Sequence, residues 1–157
     1  MNADDISRYL AEHELFSGLD DQQLAFLAAN GEEKHFDDGE IVSRQGQAAD
    51  RFYIVLEGGL TVQVPAIAGP TLEVTRLSVD QVLGWSWLIE PYRWHFNALA
   101  TGRTRALEFD GKAILARCEE DSAFGYALFK RFSALMGKRL EAAQRKMMDQ
   151  WSPAGFA

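Results

Sequence analysis

The residues most capable of binding a ligand lie in one stretch, residues 82–96 (VLGWSWLIEPYRWHF), which holds three of the four tryptophans. Gly84 allows the backbone to approach a bound group closely. A short helix beginning at Ser86 would direct its free N–H groups towards an anion. Arg93 would add a planar, charged hydrogen-bonding fork, and His95 a second polar group. The spacing therefore predicts a small-anion site.

The predicted ligand-binding set combines a glycine turn, aromatic rings and two basic side chains, a mixture that suits a planar or aromatic anion. If residues 92–96 form a strand, Tyr92, Trp94 and Phe96 face one side. Arg93 and His95 then face the other side, so the aromatic and basic groups are not expected to share one pocket. The residues assigned to the set are Gly84, Trp85, Ser86, Trp87, Tyr92, Arg93 and His95.

The same stretch also has a simpler interpretation as a buried connection between strands. The tryptophans would then belong to the core, and Arg93 would be a solvated tip. Composition alone favours this simpler interpretation. The position of the stretch between two sets of predicted strands is what supports a binding role.

Length and composition indicate one ordinary globular domain. The chain has 157 residues, of which 47% are hydrophobic and 25% charged. No apolar run approaches the ~20 residues that a membrane span needs, and the start of the chain does not resemble a secretory signal. A single cysteine, Cys118, excludes an internal disulfide. We therefore expect a cytoplasmic protein without a membrane segment.

Charge and histidine spacing argue against nucleic-acid binding and catalysis. The net charge is −7, and the basic residues near the C-terminus follow a helical pattern typical of a solvated helix face. We expect no nucleic-acid binding by this chain alone. His13, His35 and His95 show neither a metal-ligand spacing nor a nucleophile–base spacing. No catalytic residue, metal or cofactor is predicted, although a small anion could serve as ligand.

Two N-terminal helices and a set of short strands are predicted. The first helix covers residues 4–16, and the second is capped by Asp20 or Asp21 and ends at residues 30–31. Short alternating or β-branched segments separated by glycine turns follow, a pattern typical of an antiparallel barrel or jelly roll. The clearest segments are 52–56, 60–64, 72–77, 95–101 and 104–109.

The pattern becomes helical after Asp110, which is a suitable N-cap for a helix over residues 112–118. A second helix from about residue 121 runs to Trp151. The predicted fold class is therefore α+β, mainly β: a β-roll or jelly-roll barrel with N-terminal helices and a long C-terminal helix. The predicted boundaries are about 36–110 for the roll, about 111–151 for the C-terminal helices and 1–157 for the single domain.

The second half of the last helix carries apolar residues at intervals of four, three and four, which is the spacing of a coiled-coil seam. Two such helices packed side by side would bury this seam, so we expect a parallel homodimer. The alternative is that the seam packs on the barrel of its own chain. The seam consists of Met136, Leu140, Ala143 and Met147.

The order of helices, glycine-punctuated strands and closing helix resembles the cyclic-nucleotide-binding domain, as in catabolite-activator-type bacterial regulators. The resemblance covers roughly residues 16–151. It implies a β-roll fold, a regulatory role and a small-molecule effector. The motifs that carry it are Phe16-Ser17-Gly18-Leu19, Gly39 with Ile41, Gln45-Gly46, Phe52-Tyr53-Ile54 with Gly58, and Val82-Leu83-Gly84.

The family's phosphate-binding cassette is altered in this chain. In the family, a glutamate after the last of these glycines takes the ribose hydroxyl, and an arginine pairs with the cyclic phosphate. Here Trp85 follows Gly84. Counting back from Ala98 places Tyr92 at the arginine position, and Arg93 comes one residue later. Such a slip turns a strand residue to the opposite face, so Arg93 reaches the pocket only if the preceding loop absorbs the extra residue.

The closing helix departs from the family as well. Ala143 and Gln144 stand where the family places hydroxyl residues against the base, and no helix-turn-helix follows Trp151 in the sequence. We therefore expect a stand-alone, noncatalytic regulatory or sensor domain that binds a small ligand other than cAMP or cGMP, or binds cyclic nucleotides weakly. The alternative is a ligand-free interaction or dimerisation module whose cassette is filled by its own aromatic residues.

Overall fold

The computed structural model of the protein describes residues 1–65 and 68–151. Within these residues, two helices precede eight strands, and two further helices close the chain. No helix in this part of the chain is long and apolar enough to cross a membrane. The elements are α1 (Ala3–Glu12), α2 (Asp21–Ala29), β1 (Gly31–Phe36), β2 (Ile41–Ser43), β3 (Arg51–Glu57), β4 (Leu60–Val64), β5 (Leu72–Leu77), β6 (Val82–Leu83), β7 (Asn97–Ala100), β8 (Thr104–Asp110), α3 (Gly111–Glu120) and α4 (Ser122–Trp151).

The strands form two antiparallel four-stranded sheets. One sheet has the order β1-β8-β3-β6 and the other the order β2-β7-β4-β5. Adjacent strands along the chain therefore often belong to different sheets, as in a jelly roll. The predicted fold class, mainly β with N-terminal helices and a long C-terminal helix, is confirmed.

Strand β3 is buried on both faces and separates two hydrophobic cores. Phe52 and Ile54 face the first core, which lies between this sheet and the helices. Tyr53 and Val55 face the second core, which fills the inside of the roll. Because successive side chains of a strand point to opposite faces, the uninterrupted apolar run of β3 supplies both cores at once.

The first core is organised around the aromatic ring of Phe52. This ring stacks on Phe109 of β8 at a centroid distance of 4.7 Å and on Trp87 at 5.0 Å. Phe132 of α4 meets it edge-on at 5.4 Å, and Phe16 lies at 6.3 Å. Offset-stacked and edge-to-face arrangements are the favourable geometries for aromatic pairs.

Local capping signals position the helices as the sequence predicts. Asp20 caps α2 and forms a reciprocal capping box with Gln23. The Asp110 carboxylate accepts a hydrogen bond from the backbone N–H of Ala113 and begins α3. Helix α4 runs to Trp151, so the predicted extent of the last helix is also confirmed.

Three predicted boundaries are wrong. Helix α1 ends at Glu12, and the chain then turns so that Phe16 is buried. The roll begins with β1 at Gly31 rather than near residue 36. This strand (GEEKHF) is polar, and among the described strands it pairs with β8 at the edge of its sheet. Its sequence lacks the apolar alternation that reveals a half-buried strand. The strand predicted at 95–101 is limited to β7.

The turn between β3 and β4 requires glycine at position 58 for two reasons, its backbone angle and the lack of space for a side chain. A Cβ at Gly58 (φ +80°) would overlap the Arg103 carbonyl oxygen, whereas Gly102 (φ +73°) has no atom within 4 Å of its Cβ position. Left-handed strain of about 1–2 kcal/mol applies to alanine at both positions. Overpacking of about 1–3 kcal/mol applies only to Gly58→Ala.

We therefore expect Gly58→Ala to lower the free energy of unfolding more than Gly102→Ala does. Urea denaturation of both variants beside the wild type measures this difference. Equal losses in the two variants would contradict the assignment of the close contact.

Candidate functional site

Residues 84–96, here called the cassette loop, connect β6 to β7 without forming a helix. The backbone N–H groups of Leu88 and Ile89 donate to carbonyls three residues earlier, which produces successive turns. The predicted helix beginning at Ser86 is therefore wrong. Pro91 has no N–H and disfavours helical conformation in the residue before it, so the segment cannot extend into a regular helix. This loop provides no helix N-terminus for an anion.

The inner side of the cassette loop closes against the roll. Trp94 and Phe96 are half-buried and pack on the second core. Gly84 has a φ of +106°, and a Cβ at this position would lie 3.0 Å from Cη2 of Trp94. Glycine therefore allows the indole ring to lie directly over the backbone at the end of β6.

Trp87 belongs to the first core. Only 1% of its surface is exposed, and its ring stacks on Phe52 and meets Phe132 edge-on. Its indole Nε1 has no hydrogen-bond acceptor among the described residues. The structure therefore places Trp87 on the helix side of β3, away from the inside of the roll.

Arg93 lies on the surface. Its Nη1 donates a hydrogen bond to the carbonyl oxygen of Gly46 at 2.9 Å, and its backbone pairs with Ala48. The preceding residue, Tyr92, has a left-handed φ of +55°. This kink turns Tyr92 away from Trp94, so the predicted strand alternation applies to Trp94 but fails for Tyr92.

Trp85, Ser86 and His95 form a cluster at the neck of the loop. The His95 ring stacks on Trp85 at 4.8 Å, and its Nδ1 lies 3.1 Å from Oγ of the buried Ser86. The side chain of His95 is itself exposed. Trp85 and His95, an aromatic and a basic residue of the predicted set, are therefore in contact. The expected separation of aromatic and basic groups concerned residues 92–96 and did not include Trp85.

A half-buried cation, Arg139, was not predicted as a site residue. The core-facing stripe of α4 continues from Phe132 through Leu135 to Arg139 at helical spacing. Burial lowers the pKa of the Arg139 guanidinium to about 10. Within the described ranges, no carboxylate lies within 4 Å of it. In the sequence, Arg139 lies one helical turn beyond the last apolar residue of this stripe, and that spacing is the signal that points to it.

Helix α4 carries Arg139 towards the second sheet. Two turns further along the same face, Lys146 Nζ lies 3.2 Å from the carbonyl oxygen of Val74 in β5. The helix therefore runs from the first core, at Phe132, to the edge of the sheet that closes the roll. Arg139 lies between these two contacts, where its charge is desolvated.

Comparison with known proteins agrees with this architecture. The family model described as "Cyclic nucleotide-binding domain" matches residues 33–121, more than half of the chain. The chain belongs to the cyclic nucleotide-binding domain family. Its homologues are noncatalytic regulatory domains.

Individual relatives include a protein kinase regulatory subunit matched in sequence and cyclic nucleotide-binding proteins matched in structure. The chain is 27% identical over 113 residues to a cAMP-dependent protein kinase regulatory subunit of Dictyostelium discoideum, covering 70% of this chain but only 35% of that protein. A cyclic nucleotide-binding protein of Geobacter metallireducens GS-15 is 28% identical, with a TM-score of 0.78 over 85% of this chain and 97% of that one. A cyclic nucleotide-binding domain of Methylobacillus flagellatus is 12% identical, with a TM-score of 0.78 over 94% of this chain and 83% of that one.

The desolvated charge at Arg139 predicts an unusual stability effect. Removing a poorly compensated buried charge while keeping an unbranched apolar side chain is expected to stabilise the ligand-free protein, so Arg139→Met should raise the free energy of unfolding by about 1 kcal/mol. Chemical denaturation of ligand-free protein measures this. The exposed neighbour Lys138, paired with Glu14, provides the control Lys138→Met, which should lower stability by only about 0–1 kcal/mol. A loss of stability in Arg139→Met would contradict our description of its surroundings.

Proposed function

We propose that this regulatory domain senses a small organic anion and binds cAMP and cGMP weakly or not at all. The observation that carries the proposal is the cassette loop itself. Trp85, stacked on His95, stands where the resemblance places the ribose acceptor. Arg93, at the surface, is hydrogen bonded to Gly46. A cyclic phosphate entering the roll would meet neither of the two side chains that the family uses.

Two polar groups support an anionic ligand. Arg139 supplies a desolvated positive charge on α4 that a bound anion would neutralise. Ser43 lies opposite Ala98 in the β2–β7 pair, and its buried Oγ has no hydrogen-bond partner within the described part of the chain. Because Ala98 belongs to the second core, the hydroxyl of Ser43 faces the inside of the roll. Buried polar groups without partners are rare and call for a ligand or a water molecule.

A second candidate function is a ligand-free interaction module. Trp94 and Phe96 pack on the second core and occupy the mouth of the roll, which favours a cassette filled by its own aromatic residues. Binding of a ligand inside the roll would then require Trp94 to move off Gly84. The two candidates differ in whether this displacement occurs.

Calorimetric titration with cAMP and cGMP tests the departure from the family. Each absent charge-assisted hydrogen bond costs about 1.5–3 kcal/mol, and every 1.4 kcal/mol is about tenfold in affinity. We therefore expect neither nucleotide to approach saturation at about 100 µM. A submicromolar Kd for either nucleotide would defeat the proposal and would mean that Arg93 turns inward on binding.

Mass spectrometry of small molecules that co-purify with the native protein tests whether an organic anion is bound. We expect an organic anion to be retained by the wild type and by Lys138→Met, but lost from Arg139→Met. Absence of any bound anion from all three proteins would favour the ligand-free module.

Assembly through α4 is proposed for either function. Of the predicted seam, Met136 is half-buried, whereas Leu140, Ala143 and Met147 are exposed to solvent. Most of the seam therefore does not pack on the barrel of its own chain, and a second copy of the helix would cover it. Each fully buried Leu or Met is worth about 1.5–3 kcal/mol.

The parallel homodimer is tested by light scattering of the wild type, Leu140→Glu and a matched control. Leu140 and Leu72 are equally exposed, at 61% and 62%, but Leu72 lies on β5 outside the seam. We expect the wild type and Leu72→Glu to be dimeric and Leu140→Glu to be monomeric at micromolar concentration. A monomeric wild type, or a dimeric Leu140→Glu, would contradict the proposed interface.

A further inference from the structure

The outer side of the cassette loop borders a groove that is separate from the inside of the roll. The groove has a volume of about 420 Å³ and lies between the loop and the junction of α3 with α4. Tyr92 forms its wall on the loop side, and Tyr126 and Phe129 form its wall on α4. None of these residues belongs to the second core. The volume is that of a site for a small molecule.

The walls of the groove are held in place by the backbone. A Cβ at Gly125 would lie 2.6 Å from the Cys118 carbonyl oxygen, so glycine allows the two helices to approach closely. On the opposite wall, Tyr92 is held in its left-handed conformation by hydrogen bonds at both its N–H and its carbonyl. A bulky residue in this conformation is strained, and such strain is concentrated at functional sites.

The chemistry of the groove is aromatic and negative. Glu119 is the charged residue in its lining, and no cation lies within 4 Å of that carboxylate among the residues that the structure describes. Burial, and then the nearby carboxylates of Asp121 and Glu119, raise the pKa of the Cys118 thiol to about 11. Tyr126 is 70% exposed, and the Lys130 ammonium already lies 6.0 Å from its ring centroid.

We propose that this groove binds a small organic ammonium ion, with Glu119 as its counter-charge and the rings of Tyr92, Tyr126 and Phe129 as its walls. The negative faces of aromatic rings attract alkylated ammonium groups, most strongly where water is displaced. A carboxylate beside apolar rings favours a cation over a neutral molecule of equal shape. Because the loop forms one wall and α3 and α4 form the others, the bound ion stabilises their present arrangement. This site does not depend on the ligand proposed for the roll.

A matched pair of probes tests the requirement for charge. Choline and 3,3-dimethyl-1-butanol have the same shape and differ in whether the branched centre is a quaternary nitrogen or a carbon. In a titration of the full chain followed by ¹⁵N–¹H NMR, we expect choline to shift the amides of Glu119, Ser122 and Tyr126 in a saturable manner. A fragment of this size is expected to bind with a Kd below about 10 mM. The neutral alcohol is expected to bind at least about tenfold more weakly.

Two glutamine variants locate the charge. Glu119→Gln removes the carboxylate from the groove, whereas Glu120→Gln makes the same change in net charge at a neighbour outside the lining. We expect about a tenfold loss of choline affinity in Glu119→Gln and less than about a twofold loss in Glu120→Gln. Tyr126→Phe should retain binding and Tyr126→Leu should lose it, because the ring face and not the hydroxyl contacts the cation. The NMR spectrum of each variant reports its fold.

Four results would overturn the proposal. They are the absence of saturable shifts up to about 20 mM choline, shifts confined to residues outside the groove, equal binding of the neutral alcohol, and equal losses in the two glutamine variants. Equal losses would mean that choline responds only to the net negative charge of the domain.

Discussion

The buried stack around Phe52 is the interaction on which the rest of the structure depends. One ring contacts Phe109 of β8, Trp87 of the cassette loop and Phe132 of α4. Each such aromatic pair contributes about 0.5–1.5 kcal/mol beyond the area it buries. Because interiors are densely packed, Trp87 cannot shift without disturbing its contact with Phe132. The loop and the closing helix are therefore anchored to the same side of β3.

The cassette loop contacts the roll on one side and borders α3 and α4 on the other, because its central residues turn in opposite directions. Trp94 turns inward over Gly84 and closes the roll. Tyr92, held in a left-handed conformation, turns outward to the groove beside α3 and α4. Trp87 anchors the loop between these two sides. One face of this single loop lies towards the interior of the roll, and the other lies towards the helices. A change on either side therefore acts on the same loop.

Much of the fold was determined by local features of the sequence. Asp20 and Asp110 cap helices because their side chains accept hydrogen bonds from N–H groups only a few residues away. Glycine turns such as Gly58 and Gly102 require positive φ angles that other residues adopt at a cost. These effects act within one turn of the chain, and their order along it was sufficient for the family resemblance. The polar strand β1 was missed because its burial comes from pairing with β8, about 70 residues away.

The candidate site was decided by tertiary structure. The types and positions of Trp85, Arg93 and His95 could be read from the sequence, and alternation from Trp94 places Arg93 and His95 on the outer side, where both are exposed. The hydrogen bond from Arg93 to the Gly46 carbonyl and the stacking of His95 on Trp85 could not be read from it. Arg139 is desolvated only because α4 packs across the roll. The groove joins the cassette loop to the consecutive helices α3 and α4, whose lining residues follow Tyr92 by more than 20 positions in the chain. Side-chain contacts, desolvation and cavity shape all arise from contacts between residues distant in sequence. The periodicity of the sequence shows only which residues are apolar.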